Sequence, residues 1–291
     1  MSPQNPLDLQ DDPDRQIPMP FAAADAYARR VMAWSREALP VHVVATRDVA
    51  YGPHRLHRYD VFAPIDARNA PVLVFWHGGG WTNGYRAYNH FMARHVVAMG
   101  CVLVTPSYRL VIEAKFPAAY DDAVATLAHV RKTLPVLGGA AGRIYLAGHS
   151  AGGHLAALVA LRANTTSAPV QGCLPISGIM DLHHPNPLPG SLEERVYTLV
   201  LANPGQDREM SPVNHVQGNS LPFYLTCGEH DSERVRVANR RLHELLAQQT
   251  GGVALQEMPE QDHFQTHTSL RQADHVWYTA LKKMIAATNS G

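Results

Sequence analysis

The chain is poor in cysteine, with only Cys101, Cys173 and Cys227 in 291 residues. No C-x-x-C pair exists and each cysteine lies in an apolar run. A disulfide framework and a cysteine-based zinc site are therefore excluded, and three reduced core thiols in a cytoplasmic protein are expected. Charge of one sign is also missing. Lys+Arg and Asp+Glu stand at 25 each, so no global field draws nucleic acid or an anionic membrane surface, and neither is expected as a partner. No run of about 18 apolar residues occurs, which excludes a spanning helix. The N-terminus, MSPQNPLDLQDDPDR, has no apolar h-region. It reads as a flexible arm within residues 1–20 rather than a signal peptide. There is no P-loop ending in Lys-Ser/Thr and no G-x-G-x-x-G after a strand. No metal-ligand constellation stands out, because His183 and His184 are adjacent side chains in a loop. No cofactor and no metal are expected.

What is present is an alternation of strand-like and helix-like segments. An amphipathic helix over residues 21–37 is followed by two strands, Val41–Tyr51 and His57–Phe62. Gly52-Pro53 splits them, as in an antiparallel pair at a sheet edge. Further strands read at Pro71–Trp76, Cys101–Thr105, Arg143–Ala147, Val170–Ile176, Leu221–Cys227 and Val253–Met258. Helices read at Asn89–Met99, Phe116–Thr133, Ala151–Ala163, Ser232–Ala247 and Ser269–Ala287, the last with Leu270, Ala273, Val276, Trp277, Ala280, Leu281 and Met284 facing inward. Eight strands in this rhythm predict an α/β fold: a doubly wound, mainly parallel sheet in a single domain over residues 21–291. Residues 177–220 break the rhythm with five prolines and one short helical stretch, Leu192–Leu201, and read as an inserted lid.

The chain is organised around Gly148-His149-Ser150-Ala151-Gly152, set between a buried strand and an Ala/Leu-rich helix. A strand that turns directly into a helix forces the residue at the bend into a strained conformation and thrusts its side chain out at the strand tip. This G-x-S-x-G elbow makes Ser150 the candidate nucleophile. A serine hydroxyl needs a base within hydrogen-bond reach and a carboxylate to orient that base. In doubly wound sheets such groups stand after the carboxyl ends of strands. Asp231 follows the strand Leu221–Cys227, and His263 follows Val253–Met258. Glu229 and Asp262 are rival acids, and His230, His267 and His275 are weaker bases. The loop after Pro71–Trp76 reads His77-Gly78-Gly79-Gly80-Trp81. Its amides at Gly79 and Gly80, with that of Ala151, are candidate donors to a developing oxyanion, with His77 structural. Trp81, Tyr85, His149 and Tyr197 are candidate substrate contacts, as aromatics in loop or lid segments. Tyr88, His183 and His184 lie in the same segments.

HGGGW at 77–81, GHSAGG at 148–153 and the loops carrying Asp231 and His263 resemble the α/β-hydrolase fold. More narrowly they resemble the HGGG-bearing esterases of the hormone-sensitive-lipase type and the kynurenine formamidase-like (arylformamidase) branch. Ser-Pro-Val-Asn-His at 211–215 is similar to the latter. The likeness runs from about residue 40 to the end. It implies Ser150 as nucleophile, His263 as base, Asp231 as acid, and Gly79, Gly80 and Ala151 at an oxyanion hole. The expected function is hydrolysis of short-chain or aromatic carboxylic esters through an acyl-enzyme. The alternatives are an arylformamidase or amidase, an acyltransferase, and a non-catalytic ligand-binding module of the same fold. The expected partner is a small ester or amide, and a homodimer through an edge strand or the last helix is left open.

Overall fold

A computed structural model of the chain describes Gln16 and residues 21–163 and 170–288. The expected arm falls outside the described residues, apart from Gln16. Its side-chain amide donates to the Gly84 carbonyl (3.0 Å) and accepts from the Gly84 N–H (2.9 Å).

Helix α1 (Ala22–Ser35) leads into strands β1 (Val43–Ala50), β2 (Arg58–Pro64) and β3 (Ala70–Trp76). Helix α2 (Ala93–Ala98), strand β4 (Val102–Pro106) and helix α3 (Ala118–Thr133) follow, then β5 (Gly139–His149) and α4 (Ala151–Ala163). After β6 (Gly172–Ile176) comes the short α5 (Leu192–Arg195), continued by a wide turn at Val196–Val200. The chain then runs through β7 (Phe223–His230), α6 (Glu233–Leu246), β8 (Val253–Asp262), a one-turn α7 (Gln265–Thr268) and α8 (Val276–Thr288). The strands form an eight-stranded sheet in the order β1-β2-β4-β3-β5-β6-β7-β8. β2 pairs antiparallel with β1 and with β4, and all other neighbours are parallel.

Side chains alternate across the pleat, so each central strand feeds two cores. From β3, Val72, Val74 and Trp76 face one layer, which holds α3, α4 and α6. Leu73 and Phe75 face the other, with Val31 and Met32 of α1, Val96 and Val97 of α2, and Trp277 and Leu281 of α8. A strand buried on both faces has no polar alternation, which is why the run PVLVFW was legible. The three cysteines are free and buried, and burial raises all three thiol pKa values, that of Cys101 to about 11 and that of Cys227 to about 12.

Three expectations are corrected. β7 and β8 run past their apolar stretches to His230 and Asp262, because the parallel pairing persists to His230 opposite Asp262 after the apolar pattern has ended. The helix expected over Asn89–Met99 is a tight 3-10 turn at Arg86–Met92 leading into α2. Its Asn89 is fully buried and donates to the Phe75 carbonyl (3.1 Å). The final helix does not run unbroken from Ser269. His275 stands before α8, and its Nδ1 accepts the Trp277 N–H (3.2 Å) as an N-terminal cap. The interruption turns Ala273 and Val276 outward and Tyr278 inward.

Candidate active site

Ser150 is the residue between the end of β5 and the start of α4, at φ 55°. That left-handed conformation is costly for a side chain with a Cβ, on the order of 1–3 kcal/mol, and persists only where the surroundings over-determine it. Here Ser150 N–H donates to the Ile176 carbonyl (2.9 Å), and the Ser150 carbonyl accepts from His154 N–H (2.9 Å). The helix can start this close to the sheet only because Gly152 has no side chain. A Cβ there would stand 2.1 Å from the Trp76 carbonyl oxygen.

The loops after β7 and β8 bring two further groups to the hydroxyl. His263 Nδ1–H donates to Asp231 Oδ1 (2.6 Å), which fixes the tautomer and leaves Nε2 to accept from Ser150 Oγ–H (2.9 Å). The second oxygen of Asp231 accepts from Ser177 Oγ–H (2.6 Å) and Gly228 N–H (2.9 Å). Burial favours the neutral acid, but these hydrogen bonds and the His263 imidazole outweigh it, and the carboxyl pKa is held below its usual range. Asp231 therefore stays an anion able to stabilise an imidazolium. The rival groups are occupied elsewhere. Glu229 is exposed and accepts from Glu260 N–H, and Asp262 caps the turn that follows it through the Phe264 and Gln265 amides. His230 is exposed, His275 caps α8, and His267 is fully buried with Nδ1 accepting from the Tyr27 hydroxyl (2.8 Å).

The glycine loop after β3 lies against Ser150. A Cβ on Gly78 would meet His149 Nδ1 at 2.9 Å and the Ser150 Cβ at 3.2 Å. Gly79 (φ 117°) and Gly80 (φ 60°) line the same cavity as Ser150 and His263, and the Gly79 carbonyl accepts from Thr82 and Asn83 N–H. Among the described residues no acceptor takes up the Gly79 or Gly80 N–H. Ala151 is buried at the first position of α4, where an N–H has no intrahelical partner. His77 is structural. It donates to the Gly78 carbonyl (2.8 Å), stacks on Tyr108 at 4.3 Å, and is held neutral by burial with its pKa lowered to about 4.

The cavity has a volume of about 240 Å³. Of the candidate substrate contacts, Trp81 and His149 line it. Tyr85 does not, being buried edge-on to Tyr88 (5.9 Å). Tyr197 does not either. Its hydroxyl donates to Asp207 (2.7 Å) and accepts from His184 N–H (2.6 Å), so it holds residues 181–207 together. His183 is likewise spent on Asp207 (2.6 Å). His149 stacks on His267 (5.0 Å) and lies tilted against His263 (4.9 Å). Its Nε2–H donates to the His263 carbonyl (2.8 Å), and burial keeps its pKa well below the ordinary imidazole value.

Several contributors escaped the sequence reading. Ser177, which steadies Asp231, follows the end of β6, where a lone serine carries no pattern of its own. Phe21, Ala24 and Tyr27 of the N-terminal helix region line the cavity, as do Leu192, Arg195, Val196 and Leu199 of the 177–220 segment and Arg234 of α6. Nothing in their local pattern points there. Among the described residues, one trio of metal-ligand side chains lies within 4.8 Å of one another, Glu229, His230 and Glu260. It is exposed at the ends of β7 and β8, and none of the three lines the cavity.

A family model of the α/β-hydrolase fold matches residues 73–267. Esterase LipQ of Mycobacterium tuberculosis is 30% identical over 243 residues, covering 76% of this chain and 58% of that protein. The chain spans about half the length of the mycobacterial esterases it matches. Kynurenine formamidase of Danio rerio is 26% identical over 293 residues, covering 96% of this chain and 95% of that one. The solved structure of esterase B from Lactobacillus rhamnosis aligns with a TM-score of 0.74 at 19% identity, over 92% of each chain, a likeness of fold. No helix among the described residues is long and apolar enough to cross a membrane.

Proposed function

The chain belongs to the α/β-hydrolase fold family, and on that premise we propose that it is a carboxylesterase-type serine hydrolase acting on short-chain or aromatic esters. The observation that carries this reading is the unbroken relay from Ser150 Oγ to His263 to Asp231, at 2.9 and 2.6 Å, opening into a cavity walled by Gly79 and Gly80. Ser150 attacks the acyl carbon as His263 Nε2 takes its proton. Asp231 holds the ring and stabilises the imidazolium, and the oxyanion is met by the amides of Gly79, Gly80 and Ala151. His263 then returns the proton to the leaving alcohol and activates the water that hydrolyses the acyl-enzyme. A cavity of about 240 Å³ suits a small acyl or aryl group better than a long chain. The name of the mycobacterial relative, an esterase, fits this reading.

A second reading, an arylformamidase, is favoured by one finding: the relative named kynurenine formamidase matches nearly end to end. The same relay serves both. The test is hydrolysis of p-nitrophenyl butyrate and N-formylkynurenine by the wild type and by Ser150→Ala. Butyrate cleavage that falls by about 10⁴ or more in the variant supports the esterase. A large preference for the formamide moves the protein to the second reading. Cleavage of neither favours a ligand-binding module, and activity retained by Ser150→Ala overturns the nucleophile assignment.

A further inference from the structure

Behind the relay, two hydroxyls meet that no step of the reaction uses. Ser177 and Thr266 are fully buried and neither lines the cavity, so neither is placed to touch substrate. Ser177 stands just after β6, and Thr266 lies in the one-turn α7, three residues beyond His263. Ser177 has one hydroxyl proton. The Asp231 carboxylate takes it (2.6 Å), an anion being the strongest acceptor in reach. The lone pairs of Ser177 Oγ are then left for Thr266 Oγ1, 2.8 Å away. Thr266 Oγ1 is also 2.8 Å from the His263 carbonyl oxygen. Its single proton therefore has two acceptors, Ser177 Oγ and that carbonyl. The carbonyl is satisfied whichever way the proton turns, because it also accepts from His149 Nε2–H (2.8 Å).

We propose that Thr266 is a positioning residue for the relay, acting on Asp231 through Ser177 and on His263 through its main chain. The proposal rests on the hydrolase reading of Ser150, His263 and Asp231. The contacts close a ring. His263 Nδ1–H donates to Asp231 Oδ1 (2.6 Å) on one side, and the two hydroxyls join the same pair of residues on the other. Acid and base are thus held to each other twice, so neither turns away without breaking the second link. Donation by Thr266 also polarises the Ser177 O–H and strengthens its bond to the carboxylate. Burial makes the hydroxyl hard to replace, because no bulk water stands ready to take over a lost donor. Thr268 supplies the contrast within the same turn. Its hydroxyl is spent on the Phe264 carbonyl (3.1 Å), outside the ring.

The test is a pair of substitutions in the full chain, read by kinetics and by proton NMR. Thr266→Val keeps the branched shape and removes the hydroxyl, and Thr266→Ser keeps the hydroxyl. On p-nitrophenyl butyrate the valine variant should lose about tenfold in kcat with KM nearly unchanged, the size of one hydrogen bond, and the serine variant should regain most of it. The His263 Nδ1–H proton, identified by its loss in Asp231→Asn, should give a low-field resonance in the wild type. That resonance should move or broaden in Thr266→Val and return in Thr266→Ser. Thr268→Val should change neither readout. A valine variant that loses thermal stability but keeps kcat and the resonance shows a hydroxyl that serves packing alone, and overturns the proposal. So does a loss that serine does not restore. Should the valine variant not fold, Thr266→Ala repeats the test with a smaller side chain, and a wild type without the low-field proton overturns the proposal with no variant at all. If no ester is cleaved yet the resonance follows the hydroxyl, the esterase reading fails and the positioning ring stands. If esters are cleaved and Thr266→Val matches the wild type in both readouts, the esterase stands and the proposal falls.

Discussion

The cavity has two unlike sides. On one, Ser150, Asp231 and His263 stand on the loops after β5, β7 and β8, and their polar atoms are tied to one another and to Ser177, Gly228 and Ile176 at 2.6–2.9 Å. On the other, the start of α1 and residues 192–200 offer Phe21, Ala24, Leu192, Val196 and Leu199, side chains with no directional bond to make. The first side tolerates few residue types at each place, because each position must donate, accept or fit at a fixed distance. At these five positions the second needs only apolar bulk. That difference sets what a substitution on each side should do.

The largest effect is expected where directionality matters most. Asp231→Asn keeps the shape of the side chain but removes the anion that fixes the His263 tautomer, so kcat on p-nitrophenyl butyrate should fall by about 10⁴. A fall below tenfold would mean that His263 is oriented by something else, and the contrast between the two sides would lose its basis. Next come neighbouring glycines that the sequence treats alike. A Cβ on Gly79 would lie 2.2 Å from the Asn83 carbonyl oxygen at a φ of 117°, so Gly79→Ala must displace the loop and should cost a hundredfold or more in kcat. Gly80 is at φ 60° with its nearest neighbour, Thr82 Oγ1, at 3.8 Å. Gly80→Ala keeps its amide and should cost less than tenfold in the same assay. Equal losses would show that the loop tolerates no change at all.

The same division decides how much could be read from the chain. Ser150 was legible because an elbow imposes glycines at fixed offsets, and Gly152 touches the Trp76 carbonyl for that reason. Asp231 and His263 were legible because a parallel sheet delivers its chemistry to strand ends, and the apolar runs marked those ends to within a few residues. Ser177 does the same kind of work as Gly228, but a single serine after a strand carries no pattern of its own. Tyr27 illustrates the opposite case. The amphipathic period of α1 marked a buried face, yet the period cannot say that the face packs on Tyr88, Phe264 and the His267 ring. Tyr85 and Tyr197 were expected in the cavity because aromatic residues in loops often line one. In the structure one fills core space and the other spends its hydroxyl on Asp207. Composition names residues fit for a wall, and only the packing assigns them to it.

A substitution on the apolar side should change selectivity rather than the relay, and it would show whether that side selects substrates. Leu199 lies in the turn Val196–Val200, is partly exposed, and faces the cavity, so the fold can accept a larger ring there. Leu199→Trp consumes part of a volume of about 240 Å³ without touching any hydrogen bond of the relay. Removing room for one or two methylenes is worth about 1–3 kcal/mol in a hydrophobic pocket. The ratio of kcat/KM for p-nitrophenyl butyrate to that for p-nitrophenyl acetate should therefore drop about tenfold, with acetate cleavage nearly retained. An equal loss on both esters would place this wall against the leaving group, since the two substrates share it and differ only in the acyl chain. No change on either would mean that residues 192–200 yield to substrate. The acyl pocket would then have to be formed by the α1 side, where Phe21 and Tyr27 are the next residues to enlarge or truncate.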